Sequence, residues 1–545
     1  MFHFHDVLII GSGGSGLSLA IKLKQVGISN VAILSKTGIM GSHTSAAKGG
    51  INAALGSISE DNYKWHEFDT LKSGSHLSDE KRVEFMCKTA PEEIEFLEKQ
   101  GVYFDKLPNG KIDQRRYGGQ KTNFGKGDFA YRSCFSSDKT GFEIMKNLKL
   151  SAEENELKIY EYFFVFDAKT EDKFAKKIYA LNLKTGEIEE FRFNILVLAG
   201  GGFSQNYRTN SSSSSLTGDA HAIALKLGGS FEDMEFVQFH PTGLFGNGIL
   251  ISEAVRAEGG ILLNEKNERF MEKYSPDFLE LASRDVITKA IFLEGDGKKP
   301  AFLSLKHLPK SVIEKKLSST ILTAKFFGKI DVFKEDIPVF PTAHYNMGGI
   351  KVDFNYQLEE VKNVFAIGEC AGGRIHGANR LGCNSLLELF TSSTLVKNKI
   401  IEMLEGDFGG NFTQNFTKFT AKDFAKNSDT SDLKFEGSNE ISFSEISDLR
   451  KKLGVIMEEK CGVLRNEKDL KIALNEALEM ENFLKKCKPN IKILNFNNEF
   501  ISYFELQNLI SLSVIVLKSA IERRESRGSH IRTDFPEQDS SFDRF

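Results

Sequence analysis

The chain opens with an apolar segment that runs directly into a glycine-rich turn. Asp6 to Ile10 has the continuous apolar pattern of a buried strand, residues 11–16 read GSGGSG, and apolar residues then recur at helical spacing from Leu17 to Leu23. Val31 to Leu34 predicts a second buried strand. A strand, a glycine turn, a helix and a second strand form a βαβ unit, which predicts an α/β fold with a doubly wound, Rossmann-like sheet.

The three spaced glycines of this turn have separate tasks in a dinucleotide site. Gly11 permits the tight turn, Gly13 lets the backbone approach a pyrophosphate, and Gly16 lets the helix pack on the strand, while the helix N-terminus offers amide donors. An acidic residue is expected about 20 positions further on to bind a ribose. Ser35 and Lys36 stand there instead. We therefore expect ribose contact through a hydroxyl, and a simple NAD site is disfavoured.

Composition and charge exclude several other classes of function. The 545 residues include 40% apolar residues, enough for a large core, and 71 basic against 75 acidic residues give a net charge of -4. Generic nucleic-acid binding needs a positive surface, so we predict no nucleic-acid partner. The longest apolar run, Leu509 to Leu517, is short and contains serines, so we predict no direct membrane span.

The six cysteines carry a prediction about electron transfer. They are scattered along the chain, and no two have the CxxC spacing of zinc or iron–sulfur ligands. We predict no metal site on this chain, and any iron–sulfur cluster has to lie on a partner. Scattered thiols also favour a reducing, cytosolic compartment over a secreted disulfide framework.

The remaining sequence suggests an interrupted nucleotide domain followed by helices. We predict a separate α+β lobe over 236–345, inserted into a nucleotide domain of residues 1–235 and 346–404. A polar, repetitive stretch from about Glu405 to Ser444 is typical of a linker, and Ser211 to Ser215 indicates a low-complexity loop. Ile446 to Cys487 and Phe504 to Arg523 have helical periodicity, so residues 405–545 are predicted to form a linker and a C-terminal helical domain.

Two glycine-flanked segments are candidates for cofactor contact. His43 lies among small residues in the segment 42–50, where a planar ring system could rest against backbone, although a lone histidine is also commonly structural. The segment Gly377 to Ser385 leads into an apolar helix whose N-terminus could stabilise negative charge on a reduced flavin. An ordinary glycine-containing helix cap explains this second segment equally well.

Four polar residues, far apart in sequence, each stand in a predicted turn flanked by glycine or proline: His240, Ser252, His344 and Arg380. If they converge, they form a cage for two carboxylates, because arginine suits bidentate pairing and the other groups complete the hydrogen bonds. Singly, each is more simply a surface or capping residue. Glu253 and Arg256, at i and i+3, indicate by spacing alone a pair on a helix surface.

A series of ordered motifs resembles the flavoprotein subunit of succinate dehydrogenase and fumarate reductase. The motifs are SHTSAAKGGINAAL, QFHPTG, SEAVRAEGG, ERFM, RDV, PTAHYNMGGI, FAIGE and HGANRLGCNSLLEL. The resemblance runs from about Asp6 to Phe390 and resumes at RESRGSHIRTDFP. It implies an FAD-binding domain, an inserted capping domain and a C-terminal helical domain.

The resemblance also implies the residues of a flavin site. His43 occupies the family's position for covalent attachment of FAD, and attachment suits the oxidising flavin that an unactivated CH2–CH2 unit requires. We expect FAD contacts from the following residues: Gly11, Ser12, Gly13, Gly14, Ser15, Gly16, Ser35, Lys36, His43, Thr44, Ser45, Gly49, Gly50, Asp219, Glu369, Ser385 and Leu386.

The implied reaction is the interconversion of succinate and fumarate. His240, Ser252, His344 and Arg380 match the family's dicarboxylate-binding positions, with Ser252 where threonine is more usual. Arg284 matches the catalytic acid and base, which exchanges a proton while a hydride passes between substrate and flavin. Glu253 and Arg256 match a proton relay to solvent, which answers the objection that a guanidinium normally stays protonated.

The implied partners are an iron–sulfur protein subunit and a membrane anchor or another quinone-linked protein. The implied location is cytoplasmic, peripheral on the cytoplasmic face of the inner membrane through those subunits.

Two alternative functions remain. L-Aspartate oxidase shares the fold, but Tyr117 stands where that relative is expected to carry a glutamate for the amine. The other is an electron-carrier module, which needs no dicarboxylate cage.

Overall fold

The computed structural model of the chain describes residues 1–405, 433, 437–489 and 494–543. Most of the predicted linker, including its repetitive segment 409–424, lies outside the described residues. The first 235 residues form ten strands and five α-helices: β1 Phe2–Ile10, α1 Gly14–Gln25, β2 Val31–Ser35, β3 Ile51–Asn52, α2 Tyr63–Ser73, α3 Glu80–Lys99, β4 Gln114–Lys121, β5 Phe129–Cys134, α4 Thr140–Glu154, β6 Lys158–Glu161, β7 Phe163–Glu171, β8 Phe174–Asn182, β9 Ile188–Leu198, α5 Asp219–Lys226 and β10 Phe231–Glu232.

The next segment carries the elements of the predicted capping domain. They are β11 Val237–Leu244, α6 Ala254–Ala257, β12 Ile261–Leu263, α7 Met271–Tyr274, α8 Arg284–Glu294, β13 Ala301–Ser304, α9 Lys310–Lys316, α10 Ser318–Thr323 and β14 Ile337–Asn346. The chain then forms β15 Gly349–Lys351, β16 Val364–Ala366, β17 Ala371–Gly372 and α11 Asn384–Glu405. The C-terminal part contains β18 Asn439–Glu440, α12 Phe443–Lys460, β19 Leu464–Arg465, α13 Glu467–Leu484, β20 Cys487–Lys488, α14 Asn498–Glu522 and β21 Ile531–Arg532.

The central sheet has the strand order β6-β2-β1-β9-β8-β7, and β16 also pairs with β9. The pairs β6–β2, β2–β1, β1–β9 and β9–β16 are parallel, whereas β7, β8 and β9 form antiparallel pairs. The register aligns Ile10 with both Leu34 and Leu198, so β1, β2 and β9 end at the same edge of the sheet. The predicted βαβ unit is confirmed, and ligands of such sheets bind at this carboxyl edge.

The capping segment has a sheet and a hydrophobic core of its own. Its antiparallel sheet has the order β11-β14-β13-β12. The core residues run from Leu244 to Val339 and include Leu262, Ile287 and Leu303. The α+β class predicted for this lobe is therefore confirmed, while the bounds proposed for the three domains stay a prediction.

The C-terminal helices α12, α13 and α14 pack against one another and against the first part of the chain. Their shared core includes Leu453, Leu470 and Leu509 together with Phe164 of β7 and Phe239 of β11. Asn466 and Asn497 cap α13 and α14 by accepting backbone hydrogen bonds, and α12 begins with a capping box. The predicted helical domain is confirmed.

The apolar part of α14 is longer than the sequence analysis predicts. The 25-residue helix Asn498–Glu522 contains an 18-residue window that is apolar enough to cross a membrane by length and composition. However, 72% of that window is buried inside the protein. The expectation of a short apolar run is wrong, because the serines interrupt the run without lowering its mean hydropathy enough. The burial is that of a core helix.

Candidate active site

One large cavity begins at the carboxyl edge of the central sheet and extends beneath the capping segment. It is lined by most of the predicted cofactor residues: Gly11, Ser12, Gly13, Gly14, Ser15, Ser35, Lys36, His43, Thr44, Gly49, Gly50, Asp219, Glu369, Ser385 and Leu386. It is also lined by all four predicted substrate residues, His240, Ser252, His344 and Arg380, together with Arg284 and Glu253. Residues separated by more than 300 positions in sequence therefore face one space.

Three predicted site residues do not line this cavity: Gly16, Ser45 and Arg256. A Cβ atom at Gly16 would lie 2.0 Å from the carbonyl oxygen of Gly11, so this glycine permits the contact between helix α1 and the turn. The amide of Ser45 donates to the carbonyl oxygen of Ser42, a local turn bond. Arg256 lies behind Glu253, as described below. Their predicted contacts with FAD or solvent stay predictions.

The glycine turn leaves backbone space at the start of α1. Gly11 has φ of +114°, and a Cβ atom there would lie 2.2 Å from the carbonyl oxygen of Ala199, so only glycine fits. Gly13 precedes the first helical residue, and no side chain caps the helix at this position. The amide of Gly14 donates to Thr44 Oγ1 over 3.1 Å, and Thr44 lines the same cavity, so the start of α1 faces the cavity beside this hydroxyl, a setting that suits a phosphate group.

Hydroxyl and ionic contacts occupy the position where the sequence predicts a ribose contact. The hydroxyls of Ser12 and Ser35 are 2.6 Å apart. Lys36 Nζ lies 2.6 Å from a carboxylate oxygen of Asp219 and 2.8 Å from one of Glu505, a residue of helix α14. Burial lowers the pKa of Lys36, but the two carboxylates outweigh it and the net pKa is raised. Lys36 is therefore a fixed cation that joins the cavity wall to the C-terminal helices.

His43 lies in the cavity wall as a neutral imidazole. Burial, and secondarily Arg380, lower its pKa to about 4. The backbone amide of Ser213 donates to His43 Nδ1 over 3.2 Å. Since Nδ1 accepts this bond, the proton of the neutral ring is on Nε2. The loop around Ser213 therefore selects one tautomer at the predicted attachment residue.

A second titratable group of the cofactor wall is Glu369. Burial raises the pKa of its carboxyl to about 7, although the amide of Asn346 donates to it over 3.1 Å. Glu369 stands directly after the positive-φ glycine Gly368, at +65°, which follows strand β16. It is placed at the sheet edge as the sequence predicts, and its FAD contact stays a prediction.

The two predicted substrate histidines lie on paired strands. His240 of β11 and His344 of β14 have ring centroids 5.0 Å apart. All four cage residues are predicted to stand in turns, and for these two the prediction is wrong. Pro241 and Gly243 accompany a register shift within β11, between His240 and Gly243, and do not end the strand. Such a bulge redirects side chains while the strand continues.

Both histidines are neutral, and their partners determine their hydrogen-bonding roles. Burial lowers the pKa of each ring well below its usual value, and Arg284 lowers it further. The amide of Thr242 donates to His240 Nδ1 over 3.2 Å, so His240 carries its proton on Nε2. Ser211 Oγ lies 2.7 Å from His344 Nδ1. A neutral imidazole in this position can serve a carboxylate only as a hydrogen-bond donor.

Arg284 is the first residue of helix α8 and lies between two fixed oxygens. Its Nε donates to Glu253 Oε2 over 3.0 Å, and its Nη1 donates to Gln238 Oε1 over 2.9 Å. Burial raises the pKa of Glu253, but the arginines Arg284 and Arg256 outweigh it, and the net pKa is lowered. Arg284 is thus held by a carboxylate that stays ionised.

Glu253 and Arg256 do not form the helix-surface pair that spacing alone indicates. Only 3% of Glu253 and 2% of Arg256 is exposed, and Arg256 Nη2 lies 3.7 Å from Glu253 Oε2. Arg256 Nη1 donates to the carbonyl oxygen of Glu280 over 2.7 Å. The short helix α6 is buried inside the capping segment, so a pair at i and i+3 faces the interior. The order Arg284, Glu253, Arg256 is the order of the predicted relay.

Arg380 lies on the loop before α11, and its side chain is buried against an aromatic ring. Its Cζ atom is 4.3 Å from the ring centroid of Tyr345, and its Nε has no hydrogen-bond partner among the described residues. Burial and the nearby Arg284 lower its pKa to about 10. A buried guanidinium with unsatisfied donors is prepared to bind an anion.

Several residues of the site are not predicted from the sequence. Gln238 Nε2 donates to Asn379 Oδ1 over 2.7 Å and to the carbonyl oxygen of Arg380 over 2.8 Å, and its other atom accepts from Arg284. Ser211 and Ser213, predicted to form only a low-complexity loop, contact the histidines at 344 and 43. The position of Gln238 in QFHPTG, two residues before His240, was the one signal that could have found it.

Tyr117, which weighs against an amine-binding site, also faces the cavity. Its hydroxyl donates to the carbonyl oxygen of Gly49 over 3.0 Å, and only 1% of the residue is exposed. Burial raises its pKa well above the usual value, so the phenol is neutral. It offers no charge to a substrate ammonium group.

Comparisons with known proteins first establish the class of this chain. A family profile described as an FAD binding domain matches residues 6–386, and one described as the fumarate reductase flavoprotein C-terminus matches residues 450–542. The chain is thus an FAD-binding flavoprotein of the oxidoreductase type. More particularly, it belongs to the family of succinate dehydrogenase and fumarate reductase flavoproteins.

The relatives agree over nearly the full length of the chain. It is 37% identical over 552 residues to the succinate dehydrogenase flavoprotein subunit of Rickettsia bellii, covering 98% of this chain and 91% of the relative. It is 38% identical over 545 residues to an uncharacterised FAD-dependent oxidoreductase of Methanocaldococcus jannaschii, covering 98% and 94%. A structure of a mutant E. coli quinol fumarate reductase matches with a TM-score of 0.89 at 30% identity, covering 99% and 93%.

These comparisons confirm the predicted family, fold class and cofactor. They favour succinate and fumarate chemistry over the L-aspartate oxidase alternative. They also disfavour the electron-carrier alternative, because the relatives in question are named as enzymes or enzyme subunits. The individual roles of the site residues stay predictions, and they are developed below.

Proposed function

We propose that this chain interconverts succinate and fumarate with FAD bound in the cavity. The observation that carries the proposal is the convergence of Arg380, Arg284 and the two histidines on the cavity that also contains His43. Two buried guanidinium groups face one space, where Glu253 is paired with Arg284, while the other lining carboxylates, Asp219 and Glu369, belong to the cofactor wall. The resulting positive potential suits a substrate with two negative charges.

The residues present fit FAD. The N-terminus of α1 beside the Thr44 hydroxyl suits the pyrophosphate, the hydroxyl pair of Ser12 and Ser35 suits a ribose, and the N-terminus of α11 at Ser385 suits the electron-rich end of a reduced ring. Bound FAD supplies the capacity to accept a hydride from succinate or return one to fumarate. All other steps belong to side chains of this chain.

Covalent attachment through His43 is part of the proposal. The imidazole is neutral, and its Nδ1 accepts from the amide of Ser213, which leaves Nε2 as the nitrogen for a bond to the flavin, with loss of the Nε2 proton as that bond forms. The lowered pKa keeps the ring neutral at neutral pH, so only the Nε2 proton has to leave for a neutral, attached imidazole to form. Arg380 of the proposed dicarboxylate cage lies close enough to His43 to contribute to its lowered pKa. The attachment residue and the substrate cage are therefore neighbours in the cavity.

The substrate-binding side chains act as a clamp. Arg380 provides the charged, bidentate contact, and His240, His344 and Ser252 provide hydrogen bonds from neutral groups. His240, Ser252 and Arg380 are buried and His344 is half-buried, so little water reaches the clamp and its contacts are strengthened. The clamp holds the dicarboxylate in one orientation for hydride and proton transfer.

Arg284 exchanges the proton at the second carbon. Its guanidinium gives a proton to the product carbon in fumarate reduction and takes one up in succinate oxidation. Glu253, at 3.0 Å from Arg284 Nε, passes a replacement proton, and Arg256 lies behind it. Because Glu253 is hydrogen-bonded to Arg284, it can return the proton at once, and no long-lived neutral arginine has to accumulate.

We further propose that electrons leave through an iron–sulfur partner subunit and a quinone-linked anchor. All six cysteines of this chain are buried, free and separate, and no group of His, Cys, Asp or Glu among the described residues could hold a metal. The relatives include a structure of quinol–fumarate reductase with menaquinol and one of Mycobacterium smegmatis Sdh1 with UQ1. This partner would place the chain on the cytoplasmic face of the inner membrane.

The test is an assay of the purified, flavin-loaded chain with an artificial dye and succinate, fumarate or L-aspartate. We expect turnover with succinate and fumarate and negligible turnover with L-aspartate. Flavin should stay on the acid-precipitated polypeptide and leave it in His43→Ser. Steady oxidation of L-aspartate without succinate activity would overturn the proposal, and flavin lost from the acid-precipitated parent chain would overturn the covalent attachment.

A further inference from the structure

A buried triad of side chains stands behind Arg380 and touches the cavity only through an aromatic ring. Tyr345 donates its hydroxyl to Glu388 Oε2 over 2.7 Å, and His376 Nε2 lies 2.8 Å from the same oxygen. The three residues are between 2% and 5% exposed. Tyr345 lines the cavity beside Arg380, whereas His376 and Glu388 do not line it.

The three members come from separate elements that meet at Arg380. Tyr345 follows His344 on strand β14, His376 opens the loop that carries Arg380, and Glu388 lies on helix α11 one turn beyond Ser385. Glu388 therefore ties together the strand of one substrate residue, the loop of another and the helix at the cofactor. By bonding to both neighbours, the Glu388 carboxylate holds strand β14, the loop of Arg380 and helix α11 in fixed relative positions.

The contact from the triad to Arg380 is electrostatic. The guanidinium carbon lies 4.3 Å from the ring centroid of Tyr345, within the range of a cation–π contact. A phenol that donates to an ionised carboxylate has a more electron-rich ring, which strengthens this contact. Burial raises the pKa of Glu388, but His376, Tyr345 and Arg380 outweigh it and the net pKa is lowered, so the carboxylate is ionised.

We infer that Tyr345, His376 and Glu388 form a positioning triad that orients the Arg380 guanidinium for dicarboxylate binding. This inference rests on the proposed function of the cavity. The triad acts through Arg380 and does not contact the reacting carbons. Its loss should therefore weaken binding of the substrate more than it slows the chemical step.

The test uses two variants that keep side-chain volume. Glu388→Gln removes the charge, and Tyr345→Phe removes only the hydroxyl. We expect each to raise the KM for succinate about tenfold, with kcat changed less than about threefold. The dissociation constant of fumarate, read from the absorbance of the oxidised flavin, should rise by a similar factor. Because both variants act on the same Tyr345–Glu388 contact, the double variant should be little worse than Glu388→Gln alone.

The matched control is Glu93→Gln, another buried carboxylate that anchors helix α11. Glu93 accepts from Lys22 and from Thr394, and it does not line the cavity. We expect this variant to lower thermal stability while the KM for succinate stays within about twofold. If Tyr345→Phe and Glu388→Gln both keep the parent KM and fumarate affinity, the triad has no positioning role and the inference is overturned. A parent protein without succinate activity would instead overturn the proposed function.

If Glu388→Gln fails to fold, Tyr345→Phe alone decides the matter, because it leaves the ring and its packing in place. An unchanged KM in that variant contradicts the inference. A KM that rises together with an equal fall in kcat would also contradict it, since that pattern indicates a group acting in the chemical step.

Discussion

Arg284 is held by two neighbours with different chemical properties. Glu253 is ionised and can exchange a proton, whereas the amide oxygen of Gln238 can only accept a hydrogen bond. The two contacts fix both ends of the guanidinium, so its remaining donors face the cavity in one orientation. A lysine could reach the same space, but it could not make this forked contact.

We predict that Arg284→Ala retains bound flavin and loses turnover. General acid–base groups contribute about 10²- to 10⁴-fold to rates, and a loss of this size is expected in kcat for succinate with a dye acceptor. The flavin absorbance should be unchanged, because Arg284 belongs to the capping segment. The surface variant Arg208→Ala, which breaks an exposed ion pair with Glu458, is the matched control and should keep parental activity. Succinate oxidation at the parental rate in Arg284→Ala would show that the acid/base assignment is wrong.

Among individual residues, the sequence predicts the charged and glycine-flanked members of the site. His43, Arg284, Glu253 and Arg380 stand within ordered motifs, and all four line the cavity. Ser211 and Ser213 could not be located, because a run of serines has no periodicity and its hydroxyls and amides act by position alone. The burial of Glu253 was missed because an i, i+3 spacing does not tell which side of a helix faces solvent.

At the scale of elements, the C-terminal motif RGSH supports the loop of Arg380. The amide of Ser529 donates to the carbonyl oxygen of Ala378 over 2.9 Å, and its hydroxyl donates to the same oxygen over 3.0 Å. Gly528 has φ of +54°, and a Cβ atom there would lie 2.5 Å from that oxygen. The C-terminal segment thus packs directly on the loop, two residues from Arg380, the proposed substrate-binding arginine.

Replacement of Gly528 should therefore affect substrate binding. Gly528→Ala would push against the carbonyl of Ala378, and we predict at least about a fivefold rise in the KM for succinate, equivalent to about 1 kcal/mol. Gly110→Ala is the control, since Gly110 also has a positive φ, +84°, but a Cβ atom there meets nothing within 4 Å. The control shares the backbone cost of a left-handed residue without the collision. Equal KM values in the two variants would refute a role for this contact.

Regular elements were easier to predict than the irregular ones that form the site. The βαβ unit, the capping lobe and the C-terminal helices follow from apolar periodicity, which reflects burial directly. The placement of His240 and His344 on paired strands does not, because a bulge beside Pro241 depends on the partner strand and not on local sequence. The apolar window of helix α14 likewise exceeds the predicted run, because isolated serines end a continuous run without lowering the mean hydropathy of the helix enough.

On the scale of the whole molecule, the site lies between parts of the chain that fold around different cores. His240, Ser252, Arg284 and His344 belong to the predicted capping domain, while His43 and Arg380 belong to the predicted FAD domain. Hydrogen bonds cross this boundary: Gln238 donates to the carbonyl oxygen of Arg380, and Asn379 donates to Asp285 over 2.8 Å. The cage is complete only when both parts are in contact.

The proposed reaction depends on a dicarboxylate being held between these two parts. The most direct measurement is a crystal structure of the flavin-loaded protein with fumarate. We predict that both carboxylates of fumarate contact the group formed by His240, Ser252, His344 and Arg380, with Arg284 beside one of the central carbons. Fumarate bound elsewhere, or a cavity in which Arg380 makes no contact with it, would contradict the proposed function.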